Sequence, residues 1–312
     1  MNRPLSRLFG LLAASAAVFA LTATTAHARG GVTGALSYVP ADFSTVIAVN
    51  VDGIRSSALF ELVSSIAGQD DAVRMMQRET GIDPVKDIRA IVIAGPDDLI
   101  RKEDQFLVIM HARYDRARLT RFVEAQDDAP KPRESGGATI YSIDDGALAL
   151  HGEYLIAGAA PLVEQALRAK AGKGVMSGRH AGALKTASSS ASGFAFIASS
   201  AHLQRWLSRN AGDSPELAKV QHASFGFDLS RGLGFDVRAT FSDAAAASAV
   251  VKQVETALSE IRGDAEMREL GFAELAGKVS ANARGTAVTI NFALSAEETN
   301  AVLALVKEIF IE

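Results

Sequence analysis

The sequence predicts an α+β fold in two similar units, each of order β-α-β-β-α-β-β-α, with mostly antiparallel sheets and helices packed on one face. A ferredoxin-like or related split β-α-β sandwich, present twice, fits that order. Three observations lead there. Strand-length β-branched runs alternate with amphipathic helical stretches. Neighbouring strands are joined by turn residues, at Asp145-Gly146, Gly152-Glu153 and Arg284-Gly285. Asp236-Val237-Arg238-Ala239-Thr240 alternates polar with apolar, as a strand with one wet face does.

The first unit opens on Thr45-Val46-Ile47-Ala48-Val49-Asn50-Val51, β-branched and of strand length. Ile54, Leu59, Phe60, Leu62, Val63 and Ile66 then recur at helical spacing, and a second helical stretch from Asp71 to Arg78 stops at Gly81. Strands follow at Ile88 to Ala94 and Phe106 to Ala112. Asp115 stands where it can cap a helix whose apolar side carries Leu119, Phe122 and Val123. Gln126 to Gly137, with Asp127-Asp128, Pro130 and Pro132, reads as an exposed loop. Three short strands make a meander: Thr139 to Ile143, Ala147 to His151 and Tyr154 to Ala157. Pro161 then opens a helix bearing Leu162, Val163, Ala166 and Leu167.

Periodicity fades into Gly, Ala, Lys and Ser from Ala171 to Ser192, which marks a linker over 172–192 between domains at 38–171 and 193–312. The second unit repeats the grammar. Phe194 to Ser199 is a strand and Ala201 to Arg209 a helix; Ser224 to Leu229 and Phe235 to Phe241 are paired strands. Ser242 or Asp243 caps a long helix with Val250, Val251, Val254, Leu258 and Ile261 inward. Val279 to Ala283 and Thr286 to Leu294 form a hairpin, and Ser295 with Glu298 makes a capping box for a last helix carrying Val302, Leu303, Val306 and Phe310. Phe122-Val123 and Val250-Val251 lie equally far from the caps Asp115 and Asp243, which supports an internal duplication.

The N-terminus carries an address. Arg3 and Arg7 precede a small-apolar run of about 14 residues, shorter than the roughly 20 a membrane-spanning helix needs. Thr22 to Thr25 and Ala26-His27-Ala28 follow, the layout of a signal peptide over 1–28 cleaved after Ala28, with 29–37 as a flexible lead-in. The chain has no cysteine, so it offers no lipid-acceptor thiol, disulfide or thiolate metal site. With no second apolar span, the expected product is a soluble protein of the periplasm or extracellular space, not a lipoprotein. A hydrophobic fraction of 48% argues for a folded globule. The net charge of −4, without a basic stripe, argues against nucleic acid.

No stretch rises to a catalytic, cofactor-binding or metal-binding motif, and no residue is assigned such a role. His27, His111, His151, His180, His202 and His222 lack a second ligand at metal spacing. The pairs Asp70-Asp71, Asp97-Asp98, Asp127-Asp128 and Asp144-Asp145 fall at turns and lack the alternating calcium-loop pattern. Ser188-Ser189-Ser190 has no nucleophile elbow around it. Gly172-Lys173-Gly174 lacks the rest of a phosphate loop, so Lys170 and Lys173 are read as helix-end charges. Trp206, the sole tryptophan, is expected to be a partly buried core residue.

The Pro40-Ala41-Asp42 entry to the first strand, and Gly81-Ile82-Asp83-Pro84-Val85-Lys86-Asp87-Ile88 leading into the next, resemble a loose set of uncharacterised exported bacterial proteins with repeated α+β units. That resemblance spans about residues 38–95; it implies an envelope or secreted location and brings no functional residues. The function expected is therefore a non-catalytic binding or scaffold protein of the bacterial envelope, with an envelope protein or an apolar ligand as partner. A soluble carrier of a lipid or other apolar ligand is the alternative, and an unrecognised hydrolase, using a histidine beside a serine or an acid, is the second.

Overall fold

The computed structural model describes residues 29–310, apart from 56, 58–59, 61–63, 65–70, 97–105, 126–130, 144, 173, 190–191, 211–213, 230–231 and 270. The expected signal at 1–28 lies outside the described residues. So do most of the helix expected around 59–66 and the pairs Asp97-Asp98 and Asp127-Asp128.

Among the described residues twelve strands form one sheet. In chain order they are β1 (Thr45–Asn50), β2 (Ile88–Gly95), β3 (Leu107–Ala112), β4 (Pro132–Ser135), β5 (Ala138–Ile143) and β6 (Gly146–His151), then β7 (Tyr154–Ala159), β8 (Gly193–Ala198), β9 (Val220–Asp228), β10 (Gly234–Phe241), β11 (Val279–Arg284) and β12 (Ala287–Ala293). Across the sheet the order is β11-β12-β10-β9-β8-β1-β2-β3-β7-β6-β5-β4, and each pairing is antiparallel. Most strands fall where the β-branched runs place them. β4 is the exception, a strand inside the segment expected as a loop.

The centre of the sheet is β1. It pairs with β2 from Thr45↔Gly95 to Asn50↔Ala90, and with β8 from Thr45↔Ile197 to Val49↔Gly193. One sheet therefore runs through both expected domains. The segment expected as a linker is also structured: a 3-10 turn at Val175–Ser177 and a helix at Ala181–Ala187 bury Val175, Leu184 and Ala187. Small residues read as linker composition because they are short, yet shortness is what lets a helix lie close to a sheet. Nor is the unit a ferredoxin-like split β-α-β sandwich, in which another strand separates the two that a helix connects. Here β1 and β2 are direct neighbours.

The helices are α1 (Arg29–Leu36), α2 (Val51–Ile54), α3 (Asp71–Thr80), α4 (Arg116–Glu124), α5 (Ala160–Ala169), α6 (Ala181–Ala187), α7 (Ala201–Asn210), α8 (Ala244–Gly263), α9 (Ala265–Glu269), α10 (Phe272–Gly277) and α11 (Ala296–Phe310). No described helix is long and apolar enough to cross a membrane. Three of the expected caps form. Asp115 accepts from Arg118 N at 3.0 Å and Asp243 from Ala246 N at 2.8 Å, each satisfying an amide the helix start leaves free. Ser295 and Glu298 bond reciprocally at 2.8 and 3.2 Å.

Helices were expected on one face only, but in the first half they cover both. On one face Val49, Ile91, Val108, Met110 and Leu155 pack with Met76 of α3 and with Leu119 and Val123 of α4. On the other, Val46, Ala48, Ile109, Phe194 and Phe196 pack with Leu36 of α1, Val163 and Ala166 of α5, and Leu184 of α6. This is why every residue of β3 is buried. The stretch 29–37, expected as a loose lead-in, is thus mostly a helix that seals a core. In the second half α8 covers the first face, where Ala246, Ala247, Val250 and Val251 meet Val220, Phe241 and Val288, and among the described residues the other face is buried at β8 and at Ser224 of β9, beside α6. Val254, Leu258 and Ile261, expected inward, stay partly exposed.

At the β1–β8 join, Gly193 leaves no room for a side chain: a Cβ there would lie 2.6 Å from Ala48 O and run into the Phe227 ring. Gly193→Ala should destabilise the protein by about 1–3 kcal/mol. Gly182→Ala, on a helix face with open space around it, should stabilise it by up to about 1 kcal/mol. Urea midpoints measure both. Because the sheet is continuous, unfolding should be a single transition; two resolved transitions would mean that the halves fold independently.

Candidate functional site

Strand register brings together residues far apart in sequence. His111 on β3 is paired with Tyr154 on β7, and Tyr154 with His151 on β6, so the three form a row across three strands on the face beneath α1. The His111 and Tyr154 rings stack at 4.7 Å. Tyr38, just after α1, packs on Tyr154 at 5.0 Å, and its hydroxyl shares a hydrogen bond with His151 Nδ1 at 2.9 Å. Lys170, at the C-terminal end of α5 as expected of a helix-end charge, holds Nζ 4.9 Å from the Tyr38 ring centre and donates to Ser37 Oγ at 3.0 Å.

Charge completes the row. Glu153 accepts from His111 Nε2 and from Arg89 Nη1, both at 3.1 Å. The His111 hydrogen bond, followed by the nearby Arg89 charge, holds its carboxyl below the usual range. Burial, then the charge of Tyr154, pushes the Tyr38 hydroxyl up to about 12, so it stays a donor. Burial, then the charges of Lys170 and Arg116, lowers the His151 pKa below its ordinary value. His111 Nδ1 is buried without a partner.

Two glycines let α1 settle on the row. A Cβ at Gly31 would sit 3.2 Å from His111 Nδ1, and one at Gly34 would strike the Tyr154 hydroxyl. The row is buried at Tyr38 and His111, 1% and 9% exposed, and open to solvent at Glu153, with His151 and Tyr154 between. It brings an acid to a histidine, but no serine hydroxyl bonds to His111 or His151 among the described residues. Its chemistry is that of a polar seat for a helix.

The other expected residues lie apart. His222 stands on the second half beside Phe196, at 6.0 Å, and His180 packs on the same ring from α6 at 5.7 Å. Asp145 lies exposed at the β5–β6 turn, and Ser188 and Ser189 hydrogen-bond carbonyls at the end of α6. Among the described residues no three metal-ligating side chains gather.

A second feature is apolar and open. Phe225 and Phe227 of β9, Phe235 of β10 and Phe292 of β12 share the face that carries α8, through the pairs Phe227↔Phe235 and Phe235↔Phe292. Their rings form a connected run, Phe227–Phe225 at 6.2 Å, Phe225–Phe235 at 5.8 Å and Phe235–Phe292 at 4.5 Å. Phe225 is 42% exposed. Trp206 on α7, expected in the core, is 46% exposed: its neighbours Leu203 and Leu207 take the inward positions of the helix. Phe272 on α10 is 49% exposed. The alternation of β9 and β10 carried the signal for this run, yet it could not show that the apolar side stays partly bare.

These features belong to an α+β protein built on a single open antiparallel sheet, closed on both faces at one end and on one face at the other. Solved structures share that fold. Crystal form III of TP0453 is similar with a TM-score of 0.50 at 12% identity, over 86% of this chain and 96% of that one. Crystal form IV gives 0.51 at 10% identity, over 86% and 95%. No family model and no curated protein matches the chain.

Burial lowers the pKa of both His151 and His222 in the folded state, so the unfolded chain binds protons more readily. Stability should be full above the ordinary histidine value of about 6.5 and should fall as the pH drops below it. Urea midpoints at pH 7.5 and 5.5 test this, and His151→Gln should reduce the difference. An equal difference in that variant would assign the effect elsewhere.

Proposed function

We propose that this is a non-catalytic binding or scaffold protein, exported to the periplasmic or extracellular side of a bacterial envelope, which takes a protein partner on the aromatic side of residues 193–312. The observation that carries this reading is the connected run Phe227–Phe225–Phe235–Phe292, with Phe225 open to solvent. Single exposed apolar residues are common, whereas connected aromatic surfaces mark binding sites. Trp206 and Phe272 add exposed aromatic area on helices of the same half. The sequence of 1–28 and the absence of cysteine support export as a free protein.

Internal duplication is part of the proposal. Read outward from the join, the halves run β1-β2-β3-β7-β6 and β8-β9-β10-β12-β11, an identical order of first, second, third, last and penultimate strand, with β5 and β4 added to the first. The helix after the third strand is Asp-capped in both, and Val123 and Val250-Val251 are buried at matching distances from those caps. The carrier reading gains less. The depression of about 380 Å³ along α8, lined by Ala249, Lys252, Gln253, Thr256, Ala257 and Glu260, lies on the side of a single helix and encloses no cavity for an apolar ligand.

A photo-crosslinking amino acid at position 225 should capture a discrete protein partner in intact cells, while the same group at the exposed Glu124 of the first half should not. Phe225→Ser should weaken that partner's binding at least about tenfold and shift the melting temperature by no more than about 2 °C. Equal capture at both positions would refute the assignment.

A further inference from the structure

The two free edges of the sheet are built differently. At one end β4 is four residues long, starts with Pro132 and carries Arg133 and Glu134, features that block pairing with another strand. At the other end β11 is six residues, Val279-Ser280-Ala281-Asn282-Ala283-Arg284, paired with β12 without a bulge. It has no proline, and its one charge is the last residue. The two-residue turn at Gly285 and Thr286 closes on the pair Arg284↔Ala287. In such a hairpin the closing pair is hydrogen-bonded, and the pattern then alternates. The amides and carbonyls of Ser280, Asn282 and Arg284 therefore serve β12, and those of Val279, Ala281 and Ala283 point outward. Among the described residues no backbone group takes up these outward donors and acceptors.

We propose that β11 pairs antiparallel with β11 of a second copy of this chain, forming a two-fold dimer whose sheet continues across the axis. An antiparallel strand pair between identical segments is its own two-fold operation. The chain already uses the same kind of junction internally, where β1 meets β8 and the two similar strand orders run outward from the join. Side chains fit this partner. With Asn282 facing its counterpart, Ala281 lies opposite Ala283 and Ser280 opposite Arg284, so no like charges oppose within the strand. On the α8 side, the partly exposed Val254, Leu258 and Ile261 and the exposed Phe272 of α10, the helix that leads into β11, supply apolar area beside the junction. A two-fold axis normal to the sheet keeps both aromatic runs on one side of the assembly.

The cysteine-free chain allows a direct test. In the facing register Asn282 forms a non-hydrogen-bonded pair with Cα atoms about 4.5 Å apart, within disulfide reach. Asn282→Cys should give a disulfide-linked dimer on mild oxidation, and Arg133→Cys at the other edge should give no disulfide-linked species. Sedimentation of the unmodified protein up to about 100 µM should show a dimer. Ala281→Pro removes an outward amide that β11 does not use, and Asn282→Lys sets like charges against each other on an exposed position; each should weaken the dimer at least tenfold, the second without affecting folding. A monomer at every concentration, a dimer indifferent to both substitutions, or equal crosslinking from position 133 would overturn the proposal.

Discussion

Everything in this sheet is built outward from the pairing of β1 with β8. β1 and β8 carry the ladder from one half to the other, and the flanking bonds Asn50 N to Ser192 O at 2.9 Å and Ala198 N to Ser44 O at 2.7 Å extend it beyond the paired residues at both ends. Gly193 lets the Phe227 ring lie against the join, and Ser192 Oγ accepts from Leu229 N at 3.3 Å, so the first strand of the second half is fastened to its neighbour β9 at the same point. On one face the seam is closed by Phe194 and Phe196, each contributing on the order of 2 kcal/mol by burial. Removing the join would expose two long apolar edges at once.

The halves then diverge in how they are covered. Glycines in α1 and small residues in α5 and α6 let three helices lie on the second face of the first half, where the His111–Tyr154–His151 row gives α1 a polar footing. Beyond the buried Ser224, the same face of the second half carries Asp236, Arg238, Thr289 and Asn291, partly or fully exposed, with Asp236 and Arg238 paired at 2.9 Å. Its opposite face is apolar beyond the reach of the buried turns of α8. The first half is thus a closed anchor and the second an open platform. That division suits a protein that holds a partner.

Much of this was legible in the sequence, for local reasons. Asp115, Asp243 and the Ser295–Glu298 box announced their helices because capping is a contact between residues three apart. Arg284-Gly285 announced its hairpin through turn chemistry. What escaped was set by distance in sequence. His111, His151 and Tyr154 share a site only because strand register aligns them, and register between β3, β7 and β6 is not written in any one segment. The 172–192 stretch looked like a linker because composition reports side-chain size, not whether a sheet lies underneath. Trp206 looked like partly buried core because Leu203 and Leu207 stand near it, yet those two take the inward positions of the helix and turn it out.

The position of β1 also orders events in time. Its partner β8 follows roughly 150 residues later, and closing a loop of that length is slow. A chain emerging N-terminus first can assemble β2 through β7 beside β1 while the other side of β1 has nothing to pair with. Until Gly193–Ala198 arrives, an unguarded apolar strand edge faces solvent in the nascent protein. The middle of the sheet is therefore completed only after one whole half has emerged, and before β9 to β12 are there to extend it.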